Sequence, residues 1–177
     1  MREQHYWINQ VFKRHPLHFI MQSVLVVLYM LGVMLVLTYS HVAAMNVLTA
    51  VGATSLASSA FLVFTMPKSP SAKAYRVIGS YLCAMIAGII GHYLAVLFAM
   101  SFSLGLTMSQ CFGAALAAGV VMVMMSMLDF AHPPAMGIAI GVVLDYWDDR
   151  TLIILLLAVL VLTVIKRVFH RWFINLV

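Results

Sequence analysis

The sequence predicts an all-α polytopic membrane protein, a helix bundle of about six membrane segments that includes broken half-helices. Three observations carry that prediction. The chain of 177 residues is 64% hydrophobic and 8% charged, with mean hydropathy +1.06. Soluble domains carry about 25% charged residues, so this composition cannot cover a surface in water. Several apolar runs reach the roughly 20 residues that a helix needs to cross about 30 Å of hydrocarbon. Finally, His132-Pro133-Pro134-Ala135 interrupts the apolar sequence. Proline lacks an N–H, and such breaks persist at membrane depth only inside protein or along a cavity.

Residues 1–16 read as an interfacial N-terminal segment and 17–177 as one transmembrane domain. In the first, Trp7, Ile8, Val11 and Phe12 share a helical face beside Arg2, Lys13 and Arg14, the pattern of a short helix lying on the membrane and ending before Pro16. The polar start, followed by an apolar run of full membrane length, is not that of a cleaved leader. That run, 17–39, has 23 residues without a formal charge. A second run, 42–66, is rich in small and hydroxylated residues in its first half, so an interruption is expected near Gly52-Ala53-Thr54-Ser55. The loop from Pro67 to Lys73 leads to a third span, 75–100, and then a fourth, 107–128. Only the apolar residues 134–144 follow the prolines, roughly 16 Å of helix. An acidic, aromatic loop from Asp145 to Arg150 precedes the last span, 151–165, which Lys166, Arg167 and Arg171 extend by snorkelling.

Lys and Arg set the orientation. If every segment crosses, Arg2, Lys13, Arg14, Lys68, Lys73, Arg76, Lys166, Arg167 and Arg171 face the cytoplasm, and only Arg150 lies outside, among Asp145, Asp148 and Asp149. The positive-inside rule therefore favours six crossings with both termini cytoplasmic, and the expected location is a bacterial cytoplasmic (inner) membrane. Six crossings divide into three plus three, and an odd number inverts the second set. In such an inverted repeat 49–66 and 131–144 occupy corresponding places; six unrelated helices is the alternative.

The repeat would bring the N-termini of two interrupted segments together near the midplane. A helix N-terminus carries unpaired N–H groups and about half a positive charge, so a converging pair can hold a small anion without a buried cation. The candidate binding residues are Gly52, Ala53, Thr54, Ser55, His132, Pro133 and Pro134. Thr54 and Ser55 add hydroxyl donors, Gly52 permits close approach, and His132 offers a hydrogen bond or a pH-dependent charge. His92, Asp129, Ser69 and Arg76 are secondary candidates. His92 reads either as bonded to a neighbouring helix or as part of the permeation path. Arg76, Lys68 and His41 either draw anions to the mouth or set topology. No charged residue lies deep in an uninterrupted span, where a cation pump would need a carboxylate.

Other chemistries leave weaker traces. No nucleic-acid pattern, zinc spacing, cofactor motif or nucleophile–base arrangement stands in the sequence, so neither an enzyme nor a resident metal or cofactor is expected. Met122, Met124, Met125 and Met127 raise a Cu(I) reading through their thioethers, but these positions wrap most of a helix and fit flexible packing. Cys83 and Cys111 read as small packing residues. Small residues four apart, Ala84/Gly88, Ala87/Gly91, Gly113/Ala117 and Ala115/Gly119, let helices approach within the bundle or across a homo-oligomer.

In order along the chain, Gly52-Ala53-Thr54-Ser55, Pro67-Lys68-Ser69-Pro70, Arg76-Val77-Ile78-Gly79 and His132-Pro133-Pro134-Ala135 resemble the HPP family of small integral membrane proteins. The resemblance implies a membrane protein with relatives in plant chloroplasts and cyanobacteria that are associated with nitrite transport. It also implies a fold often described with four spans, where the charge pattern gives six. The family's segment after the motif is usually rich in Gly, Ala and Thr. Here Met136-Gly137-Ile138-Ala139-Ile140 has no hydroxyl, a departure that bears on nitrite more than on the fold. The expectation is a carrier or channel in the lipid bilayer for a small inorganic anion, nitrite first. A non-transporting membrane scaffold is the alternative, and a Cu(I) or other metal permease a weaker one.

Overall fold

The computed structural model describes residues 10–40, 46–102, 105–145 and 149–177. Among them are seven α-helices: α1 (Gln10–Arg14), α2 (Pro16–Tyr39), α3 (Val47–Thr65), α4 (Ala74–Phe102), α5 (Leu106–Met127), α6 (Met136–Leu144) and α7 (Asp149–Val168), with 3-10 turns at Pro70–Ala72 and Pro133–Ala135. Helices α2, α3, α4, α5 and α7 are long and apolar enough to cross a membrane, and α6 with its leading turn is a shorter apolar helix. Pro16, Pro70 and Pro133 each open a helix or turn, where the missing N–H has no intrahelical partner to lose. Asn46 caps α3, its side chain accepting from the Thr49 N–H at 2.8 Å. Of the interfacial segment, α1 is described, with Phe12 edge-on to Phe19 at 5.1 Å. Arg2, Trp7, Ile8, His41 and Asp148 lie outside the described residues.

Successive helices alternate in direction. Gln22, early in α2, donates to Phe64 O, late in α3. Arg76, early in α4, pairs with Asp129, just past α5. Gly141 of α6 lies against Leu48 of α3, Gly137 against Ser55, and His132 against Ser59, so these two helices are antiparallel. The end of α7 meets the start of α4, where Lys166 Nζ donates to Ala72 O. Lys68, Lys73, Arg76, Lys166 and Arg167 thus share one end of the bundle with the start of α2, and Arg150 stands at the other. His132, which precedes the turn leading into α6, stands level with Ser59, about 9 Å inside the end of α3. Helix α6 ends where Asp145 Oδ2 accepts from the Leu48 N–H at 3.2 Å. With its linker, the short segment therefore passes from one end of the bundle to the other.

The pairing of helices follows the pattern of an inverted repeat. Exchange α2 for α5, α3 for α6 and α4 for α7, and each contacting pair maps onto a contacting pair, although α2 meets α7 far less extensively than α4 meets α5. The α2–α3 contact maps onto α5–α6, α2–α7 onto α4–α5, and α3–α7 onto α4–α6; α3–α6 and α4–α7 map onto themselves. One pair of side chains follows the same exchange. Gln22 of α2 donates to Phe64 O near the end of α3, and Gln110 of α5 lies 3.5 Å from Leu144 O at the end of α6.

Small residues close the second half. A Cβ on Gly88 would lie 2.9 Å from Ala139 O, and one on Gly113 would lie 2.7 Å from Gly91 O. The stripes through Gly88, Gly91, Gly113 and Ala117 therefore pack inside the bundle, whereas Ala115 is exposed and a Cβ on Gly119 would meet nothing within 4 Å.

One expectation is corrected. Helix α3 is continuous through Gly52-Ala53-Thr54-Ser55, with no interruption. Thr54 Oγ1 donates to Val51 O at 2.9 Å and Ser58 Oγ to Thr54 O at 3.0 Å. Hydroxyls satisfied by carbonyls one turn back require no break in the helix.

Candidate functional site

The chain enters the site through the end of α5. Phe130 N donates to Met125 O at 2.9 Å across Asp129, whose φ is 56°. This is a helix closure that glycine usually makes. Asp129 contributes a carboxylate instead, and one Arg76 nitrogen lies 2.6 Å from both its oxygens. Phe130 then covers Gly79, where an added Cβ would stand 2.6 Å from the ring.

This path delivers His132 into the core, fully buried. Its Nδ1 is 2.8 Å from Ser71 O, and its Nε2 is 2.8 Å from Ser59 Oγ, which is itself 2.8 Å from Tyr81 Oη. A carbonyl only accepts, so Nδ1 carries the ring proton. In the neutral imidazole Nε2 then accepts from the Ser59 hydroxyl, and the Ser59 oxygen accepts from Tyr81. Each of these donors has an acceptor. Ser59 and Tyr81 are as deeply buried as the ring, in keeping with the cost of leaving such groups unpaired. Four segments supply the network: α3, the Pro70–Ala72 turn, α4 and the residue opening the Pro133–Ala135 turn.

The predicted residues are distributed differently from the expectation. The N-termini of α3 and α6 lie at opposite ends of their antiparallel crossing and do not converge. At α6 the donors are also depleted: Pro133 and Pro134 have no N–H, Ala135 N donates to His132 O at 3.1 Å, and Met136 N to Pro133 O. Gly52 is buried against Leu155 of α7, where a Cβ would meet Leu155 Cδ2 at 2.8 Å. Ala53 is half-buried and Thr54 exposed. Ser55 is buried one turn from Ser59, with its hydroxyl against Gly137. Pro133 is exposed and Pro134 half-buried. Of the seven, Ser55 and His132 reach the α3–α6 crossing as buried polar groups.

Among the secondary candidates, His92 is half-buried with Nδ1 3.4 Å from Val143 O, a contact to a neighbouring helix. Arg76 and Asp129 form the ion pair at the rim. Ser69 opens the Pro70–Ala72 turn, its hydroxyl buried without a partner. The methionines diverge: Met125 is buried, while Met122 and Met127 are exposed. Sequence reasoning missed Tyr81 and treated Ser59 only as part of a hydroxyl-rich run. A buried imidazole needs partners at both nitrogens, and that requirement is the signal that would have prompted a search for hydroxyls on other spans.

A second polar cluster stands at the opposite end of the crossing. There Asp145 accepts from the Leu48 N–H, and the Thr49 hydroxyl is buried without a partner. The exchange of halves carries the start of α6, with His132, onto this start of α3. A groove of about 490 Å³ also opens between α2 and α7, lined by apolar groups including Leu25, Gly32, Leu157, Val161 and Phe169; neither Gly52 nor His132 lies on its wall.

Comparison with known proteins identifies a family. The family model described as "HPP, transmembrane region" matches residues 13–175. No curated protein and no solved structure matches the chain.

Proposed function

The chain belongs to the HPP transmembrane family, and from that premise we propose that it carries a small inorganic anion across a membrane, with nitrite the first substrate to test. The exchange symmetry of the bundle is the observation that supports this best. Inverted-topology halves, packed through their middle elements, are how many secondary transporters build a site near the midplane and open it alternately to each side. Here the middle elements are α3 and α6, and the polar groups near their crossing are Ser55, Ser59, Tyr81 and His132. We assign the site to these four.

The surroundings suit an anion. These groups can present hydrogen-bond donors, and one end of the bundle carries Lys68, Lys73, Lys166 and Arg167. Among the described residues, Asp129, Asp145 and Asp149 stand at helix ends or in linkers, away from the middle of the crossing. The positive-inside rule places the basic end in the cytoplasm. Gly137 packs against Ser55 and Gly141 against Leu48, so α3 and α6 meet closely at both levels, which favours a carrier over an open channel.

Purified protein in liposomes provides the test, with nitrite, nitrate and chloride offered in turn and protein-free liposomes as the baseline. Saturable uptake of nitrite above that baseline is expected. Folded protein that moves none of these anions would overturn the assignment and leave a membrane scaffold as the reading to pursue.

A further inference from the structure

We propose that this transport is coupled to protons, with His132 as the group that binds the proton. The inference rests on the transport reading above and adds a second transported species to it. Its basis is the direction of the hydrogen bonds around the ring. With Nδ1–H committed to Ser71 O, the only place for an incoming proton is the Nε2 lone pair, which now accepts from Ser59. A proton there turns Nε2 into a donor. Ser59 must then accept from Nε2–H and turn its own hydroxyl proton toward Tyr81 Oη, 2.8 Å away. Tyr81 in turn must swing its O–H away from Ser59. The proton comes from hydronium, which is left as water as its O–H bond gives way to Nε2–H; within the protein no covalent bond breaks and two hydroxyls rotate.

The result is a cationic imidazolium and a released phenol donor at the junction of α3, α4 and α6. Both call for an anion. A proton bound alone would leave a buried charge and an orphaned donor, each costly. An anion arriving alone would find the donors of His132, Ser59 and Tyr81 already engaged. With both ligands bound, or neither, the network is satisfied, and this is the condition for obligatory co-transport.

The charged neighbours agree. From α4 stands Arg76, paired with Asp129 of the linker; from α7, Lys166 donates to Ala72 O, adjacent to Ser71. Helix α3 and the Pro70–Ala72 turn present a hydroxyl and a carbonyl to the ring, and α4 presents the Tyr81 phenol. Among the described residues no carboxylate is bonded to the imidazole, so the counter-charge must come from the cargo. Ala131 and Pro133 on either side of His132 are exposed, which places the buried ring one residue from the surface.

Nitrite uptake into proteoliposomes, measured with and without an imposed pH gradient and corrected for protein-free liposomes, tests the coupling. An outside pH one unit below the inside should drive accumulation toward about tenfold for one proton per electroneutral cycle. His132→Gln should abolish that accumulation. Tyr81→Phe, which keeps the proton-binding ring, should raise the half-saturating nitrite concentration by about tenfold or more. Downhill flux that ignores the pH gradient in the wild type would overturn proton coupling and leave the anion reading standing. An absence of flux in folded wild-type protein would overturn both. Full accumulation by His132→Gln would place the proton elsewhere. If His132→Gln does not fold, an unchanged half-saturation in Tyr81→Phe overturns the proposal.

Discussion

Tyr81→Phe should destabilise the wild-type protein slightly, yet stabilise a protein that already carries Ser59→Ala. In the native network Tyr81 donates to Ser59 at 2.8 Å. Deleting that hydroxyl forfeits one interhelical hydrogen bond, worth about 0.6 kcal/mol on average within membranes and about 1.7 at most. Ser59 loses only an incoming proton and still donates to His132. Ser59→Ala is different because the serine is the middle member. Nε2 of His132 loses its donor and the Tyr81 O–H loses its acceptor, both in fully buried positions. Orphaned groups of this kind cost about 1–3 kcal/mol each, so about 2 kcal/mol or more is expected in total. In the double variant the orphaned phenol donor is gone, and about 1 kcal/mol should be recovered. The sign of Tyr81→Phe therefore reverses between backgrounds, a coupling that a double-mutant cycle isolates. Reversible unfolding by SDS in mixed micelles, followed by loss of helical circular dichroism, gives all four free energies. An equal cost for Tyr81→Phe in both backgrounds would refute the directed network.

Three further outcomes follow from the packing. Gly137→Ala sets a Cβ 2.4 Å from Ser55 Oγ and should cost about 1–3 kcal/mol by the same titration; adding Ser55→Ala removes the obstructing atom, leaves Val51 Cγ1 at 3.3 Å, and should restore most of the loss. Gly88→Ala meets a backbone atom, Ala139 O, at 2.9 Å, so no side-chain truncation should rescue it, and wild-type stability in that variant would contradict the α4–α6 contact. In a background lacking Cys83 and Cys111, single cysteines at Lys68 and Arg171 should react with an impermeant maleimide from one side of the membrane and a cysteine at Arg150 from the other; labelling of 68 and 150 from the same side would break the six-pass arrangement.

Much of the fold was legible because hydrocarbon thickness imposes a length. The run 17–39 became Pro16–Tyr39, 75–100 became Ala74–Phe102, and 107–128 became Leu106–Met127. The distribution of Lys and Arg favoured a crossing by the short segment after the prolines, and its antiparallel packing on α3 agrees. Pro133 and Pro134 required a break, since they cannot donate to a preceding turn. The hydroxyl-rich stretch of α3 was ambiguous, because Ser and Thr can either divert a backbone or bond back to their own helix. Here they bond back.

By itself the sequence indicated the membrane environment, the approximate extents of the apolar segments, and a break in the helix at His132-Pro133-Pro134. Which hydroxyl meets that histidine was decided only in three dimensions. Thr54 and Ser59 stand on the same helix, but five positions turn the side chain about 140° around the axis. One is exposed and bonded to its own backbone; the other lies in the core against His132, 73 positions along the chain. The rotation of α3, the register of α6 and the approach of Tyr81 from α4 set that choice jointly. Contacts between distant segments depend on how helices dock, and apolar periodicity specifies a buried face without naming the residue it will face.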